Sequence, residues 1–150
     1  MKKLLLVVVM LVAGYGYFNS QNSSTLHGEQ FSASKQSVHN SDAIIANAFS
    51  RHESDLQVSG EGVVIKLLPD DSSGSRHQKF IIKLASGQTL LVAHNIDLAP
   101  RLSSIRKDDS IQFNGEYEWN EKGGILHWTH RDPNGSHTAG WLKYHGKIYQ

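Results

Sequence analysis

Beyond Gly60 hydrophobic residues fall at alternate positions, and turn-forming clusters break that alternation at intervals. The resulting order is three strands, a loose helical link and two more strands. These observations predict a mainly β fold: a small OB-like five-stranded barrel with a short N-terminal helix and a C-terminal hairpin. Closure into a barrel removes the unpaired sheet edges that invite aggregation.

The elements follow in chain order. Lys2 and Lys3 precede an apolar run from Leu4 to Ala13, the charged and apolar regions of a secretory signal, and the run is short for a membrane span. Residues 1–18 are therefore expected to be a signal peptide, cleaved near Val12-Ala13-Gly14 or Gly14-Tyr15-Gly16. In the alternative, an uncleaved inner-membrane anchor, Tyr15, Tyr17 and Phe18 would sit at the membrane interface. The mature chain is then periplasmic or secreted, without a transmembrane domain. Residues 19–40 are polar, Ser-rich and aperiodic, which predicts a disordered linker. Residues 41–57 are expected to carry an amphipathic helix, with Ser41 as its cap and Ile44, Ile45, Ala48 and Phe49 on one face. Its plain role is to dock on the barrel; binding a separate partner is the alternative.

The barrel domain is expected over residues 58–150. Val63, Ile65 and Leu67 alternate in a first strand, and Pro69-Asp70-Asp71-Ser72-Ser73-Gly74-Ser75 makes a long tip. Gln78, Phe80, Ile82 and Leu84 mark the second strand. Ser86-Gly87-Gln88 turns into the third, Thr89 to His94. A link from Ile96 to Ile105 holds one loose helical turn around Pro100, and Lys107-Asp108-Asp109 reverses the chain. Ile111, Phe113, Tyr117 and Trp119 alternate in the fourth strand, and the fifth runs from Gly124 to His130. The tail forms a hairpin turned at His145-Gly146.

Composition narrows the function. There is no cysteine, so disulfides, thiolate metal sites and a lipid-anchored N-terminus are excluded, and any metal must be held by nitrogen and oxygen. Loss of Lys2 and Lys3 with a signal would leave 13 basic residues against 14 acidic ones. Bulk charge therefore gives no reason for nonspecific binding to nucleic acid or anionic membranes.

The densest chemistry lies between His127 and His137, where three imidazoles and Asp132 occupy eleven residues. Such side chains bind divalent metals, move protons near neutral pH or grip anions. Alternation fixes the register of the hairpin around Asn120. With Tyr117 opposite Leu126 and Glu116 opposite His127, apolar meets apolar and polar meets polar, and a one-residue slip spoils both faces. Glu116, Glu118 and His127 then share one face, and Leu126, Trp128 and His130 the other. His127 and His130 converge only if the strand bulges or ends at Thr129, which the Asp132-Pro133 turn favours. Otherwise one histidine stacks among Trp119, Trp128 and Trp141 while the other is solvated. A second polar group, His94, Asn95, Asp97 and Arg101, can hold a metal and an anion together, or can tie down a loop through hydrogen bonds. Asp70, Asp71, Arg76 and His77 flank the first hairpin tip in the same two ways.

The runs His94-Asn-Ile-Asp-Leu-Ala-Pro-Arg101, Gly115-Glu-Tyr-Glu-Trp-Asn120 and Gly123-Gly-Ile-Leu-His-Trp-Thr-His-Arg-Asp-Pro133 resemble a small exported bacterial family catalogued as a domain of unknown function. That resemblance covers roughly Gly60 to Gln150. It implies a compact exported domain and no activity. A looser likeness, to the staphylococcal-type thermonucleases, rests on Asp97-Leu-Ala-Pro100-Arg101 following a hairpin. It implies Asp97 as a metal ligand and Arg101 as a phosphate clamp, although Arg101 stands where that family has a Glu.

Two functions follow. The first is an exported binding module whose His94, Asp97, Glu116 and His127 hold a divalent metal (zinc, manganese or calcium), with Trp128, Asp132 and His137 contacting an anionic or polymeric envelope or extracellular ligand. The second is a divalent-metal-dependent hydrolase, a phosphodiesterase or nuclease, in which Asp97, Glu116 and one of His94 or His127 hold the metal, His130 carries the proton and Arg101 acts as electrophile, with nucleic acid as a partner in that case alone. A structural or inhibitory protein docking through its helix is a third reading.

Overall fold

The structure, a computed structural model, describes residues 41–150; the expected signal and linker lie outside them. Helix α1 spans residues 41–51 and is followed by seven strands: β1 (Leu56–Leu67), β2 (His77–Lys83), β3 (Thr89–Asn95), β4 (Ser110–Glu118), β5 (Ile125–His127), β6 (Trp141–Tyr144) and β7 (Lys147–Tyr149). The sheet order β1–β2–β3–β5–β4 closes on itself through a β1–β4 pairing. All of its pairings are antiparallel except β3 with β5, so a closed five-stranded barrel of OB topology is formed. The β6–β7 hairpin extends it: β4 gives one edge to β1, and shares the other between β5 at Glu116–Glu118 and β6 at Gln112–Asn114.

Helix α1 stops before the expected residue 57. The Glu53 N–H donates to the Ala48 carbonyl and the His52 N–H to that of Phe49, while His52 takes a φ of 58°. These are the paired bonds and left-handed residue of a Schellman cap. Ile45 and Ala48 are buried in the barrel core, and the Trp119 indole N–H donates to the Phe49 carbonyl. Asp42 accepts from the Ser86 N–H. The helix thus covers the barrel end where the β2–β3 and β4–β5 turns lie.

The first strand begins earlier than the sequence pattern suggests, and its inward set differs. Val58 and Val64 are buried, whereas Val63 and Leu67 are largely exposed. The inward positions between the two valines are Gly60 and Gly62, which carry no hydrophobic signal. A Cβ on Gly60 would lie 2.7 Å from the Phe113 ring, so Phe113 occupies the space that a side chain of β1 would otherwise fill. A bulge between Val64 and Lys66 then shifts the register to β2 and reverses the facing of the remaining residues.

Phe80, Ile82, Leu90, Val92, Phe113, Tyr117, Leu126 and Leu142 have no exposure and form the core. Each such side chain contributes about 1.5–3 kcal/mol relative to an exposed one. The link between β3 and β4 is pinned by a buried glutamine: Gln78 donates through Nε2 to the Leu102 carbonyl and accepts the Leu102 N–H at Oε1. Two backbone groups that no strand satisfies are thereby paired.

Candidate metal site

Alternation along β4 and β5 sends Tyr117 and Leu126 inward and Glu116, Glu118 and His127 outward. The expected register is observed, with Glu116 opposite His127, Tyr117 opposite Leu126 and Glu118 opposite Ile125. His127 Nε2 lies 3.2 Å from Glu116 Oε1 and 3.7 Å from Glu118 Oε1, and one donor atom from each residue falls within 4.8 Å of the others. His127 Nε2 is buried, yet it has no hydrogen-bond partner among the described residues. A ring nitrogen and two carboxylate oxygens at this range form a donor set of the kind that divalent metals take.

His137 completes the arrangement from 21 residues away in sequence. Its Nε2 donates to Glu116 Oε2 at 2.6 Å and its Nδ1 faces the Thr138 carbonyl at 3.0 Å. Both ring nitrogens meet acceptors, so the imidazolium form is favoured. The Thr138 carbonyl raises its pKa first, and Glu116 adds to this against the cost of partial burial. The His137 ring also stacks on Trp128, with centroids 4.0 Å apart and planes 6° from parallel.

Two local features deliver His137. β5 ends at His127, and Trp128 takes a φ of 50°. Trp128 therefore leaves the strand and does not continue the inward row of Leu126, and the buried residues that follow are Thr129 and His130. The turn from Asp132 to His137 is wound around the Asp132 carboxylate. That group accepts from the N–H groups of Asn134, Ser136 and His137 and from the Ser136 hydroxyl, which holds its pKa down to about 2. Asp132 thus shapes the loop that positions His137, and its oxygens are already engaged.

The other anticipated residues have partners of their own. His94 is fully buried, with Nδ1 2.8 Å from Thr129 Oγ1 and Nε2 3.2 Å from the Pro100 carbonyl. The carbonyl requires a proton on Nε2, so Nδ1 accepts from Thr129 and no lone pair remains for a metal. Burial lowers its pKa to about 4. Asp97 accepts from the Arg76 backbone and guanidinium, and Arg101 pairs with Asp70. These contacts tie the β3–β4 link to the β1–β2 loop and do not converge on Glu116. His130 Nδ1 faces the Arg131 carbonyl, with its ring 5.4 Å from Trp128. Trp119 pairs with His52 at the helix end, away from the expected aromatic cluster.

Beside the Glu116–Glu118–His127 group runs an open groove of about 340 Å³. Leu91, Ala93 and Ile125 supply its apolar part, Glu118 and His127 line one side, and His77 and Lys79 contribute polar groups. No pattern in the sequence marks the groove, because its residues come from strands joined only by the barrel.

The profile of one family, described as "Protein of unknown function (DUF3465)", matches residues 29–150. No curated protein matches the chain significantly.

Proposed function

The chain belongs to the DUF3465 family, and from that premise we propose that it is an exported binding module holding a divalent metal on the outer face of its barrel, at Glu116, Glu118 and His127. The observation that carries this reading is the convergence of two carboxylates and the unbonded His127 nitrogen within 4.8 Å. A nitrogen and oxygen donor set suits zinc or manganese. Two carboxylates neutralise a divalent charge, and three protein ligands leave positions for water or an external donor. His137 is a positioning residue: by fixing the far oxygen of Glu116 it aims the near one at the site. A ligand bound at the open positions would lie along the Leu91–Ala93–Ile125 groove.

The binding reading is preferred to hydrolysis because Arg101, the residue expected to act on a phosphodiester, is engaged with Asp70. Export rests on the pattern of Lys2, Lys3 and the apolar run after them. No helix among the described residues is long and apolar enough to cross a membrane.

The test is metal content and metal-dependent thermal shift of the untagged protein, compared with Glu116→Gln and His127→Ala. Stoichiometric zinc or manganese in the wild type, lost in both variants while the fold persists, supports the site. Absence of both metal and thermal shift in the wild type overturns it.

A further inference from the structure

A second surface lies on the outer face of β1, β4, β6 and β7. The register aligns Glu61, Gln112, Lys143 and Ile148 in one row across the four strands, and Ser59, Asn114 and Trp141 in the next. Paired residues on one face stand about 5 Å apart, and Trp141 and Lys143, two positions apart on β6, about 7 Å. Every outward residue of β4 is polar: Ser110, Gln112, Asn114, Glu116 and Glu118.

These side chains are held in place by one another. Gln57 Nε2 donates to Asn114 Oδ1 at 2.6 Å, and Asn114 Nδ2 to Ser59 Oγ at 2.6 Å. Glu61 accepts from Ser110 Oγ at 2.6 Å and from Gln112 Nε2 at 3.2 Å. Each amide keeps a further donor or acceptor after these bonds. Among the described residues, the Lys143 ammonium and the Trp141 indole N–H have no side-chain partner. Between β4 and the β6–β7 turn is a hollow of about 230 Å³, lined by Glu61, Ser110, Gln112, Lys143, His145 and Gly146.

We propose that this face binds a carboxylate-bearing saccharide. A sugar offers hydroxyls that both donate and accept, which suits ordered amide, hydroxyl and carboxylate groups, and an apolar C–H face that suits Trp141 or Ile148. Lys143 takes the sugar carboxylate as a compact charge. The composition argues against other occupants. The two rows carry a single cation, Lys143, where a phosphate backbone calls for several, and a single tryptophan gives no succession of stacking platforms for bases. The face also lacks the contiguous apolar centre of a protein interface. This proposal is independent of the metal, since neither row includes Glu118 or His127.

The experiment is calorimetric titration of the full chain with tetragalacturonate and with tetramannuronate, using maltotetraose as the neutral control and a single-stranded oligonucleotide as the competing polyanion. The expected result is binding of at least one acidic saccharide, weakened at least tenfold by Lys143→Gln and by Trp141→Ala, and unchanged by chelator. Lys143 is half-buried on the outer face and is not among the core residues, so Lys143→Gln reads the site even if Trp141→Ala fails to fold. The proposal is overturned if neither acidic saccharide binds, if maltotetraose binds equally well, if Lys143→Gln has no effect, or if the oligonucleotide alone binds with the same sensitivity to mutation.

Discussion

Acid should destabilise this protein through one histidine. His94 is fully buried, gives both ring nitrogens to Thr129 and Pro100, and has a pKa of about 4 in place of the ordinary 6.5. The fold therefore binds the neutral base, while the unfolded chain takes up a proton as pH falls below 6.5. Its contribution is complete above pH 6.5, is lost between 6.5 and 4, and falls no further below 4. At about 1.4 kcal/mol per unit, the loss is on the order of 3 kcal/mol, or a few hundredfold in the folding constant. Few other shifted groups interfere in that window. Asp71, Asp97, Asp109 and Asp132 have pKa values below the ordinary 3.8, so their contribution is lost only at more acid pH. His137 has a raised pKa and acts with the opposite sign, its contribution being present below 6.5 and lost as pH rises through its folded value. Urea unfolding of wild type, His94→Gln and His137→Gln from pH 7.5 to 4.5 separates them. His94→Gln should be less stable at pH 7.5 but should lose most of the pH slope, whereas His137→Gln should steepen the fall. A wild-type stability that is flat from pH 6.5 to 4.5, or a slope unchanged in His94→Gln, refutes the reasoning.

Three further outcomes are expected. Gln78→Ala leaves the Leu102 N–H and carbonyl buried without partners and should cost on the order of 2–4 kcal/mol in urea unfolding; a loss below about 0.5 kcal/mol would mean that water replaces the side chain. Asp132→Asn removes the carboxylate that gathers the 132–137 turn, so amide exchange at Asn134, Ser136 and His137 should accelerate while core amides keep their protection; unchanged exchange at those three would show that the turn holds without it. At the proposed metal site, affinity should fall as pH falls because ligands must shed protons, and His137→Gln should weaken zinc binding about 10–100-fold without removing a ligand; an unaltered affinity would deny His137 its positioning role.

Much of the barrel was legible in the sequence because alternation of apolar residues is a direct consequence of strand geometry. β2, β3 and β4 announce themselves through Gln78-Phe80-Ile82, Leu90-Val92 and Ile111-Phe113-Tyr117, and the facing of Glu116 with His127 follows from matching both sides of one hairpin. The first strand was harder to read for a physical reason. Its inward positions at Gly60 and Gly62 hold no side chain, and the apolar groups that fill the space belong to Phe113 and Ile82 on other strands. Glu118 stands on the ligand face by alternation alone, but only its distance to His127 gives it a part in the site.

The sequence by itself determined a cysteine-free, mainly β domain, the register of its β4–β5 hairpin and the common face of Glu116, Glu118 and His127, since each depends on residues near in the chain or on composition. Tertiary structure decided the rest. Closing the barrel buried His94 against Thr129 and made it a neutral core group. The turn at Trp128 took the chain out of β5, and the loop wound around Asp132 carried His137 back to Glu116. The His94–Thr129 and Glu116–His137 pairings join residues 21 or more positions apart, where no periodicity reaches, so only the packed chain could place them.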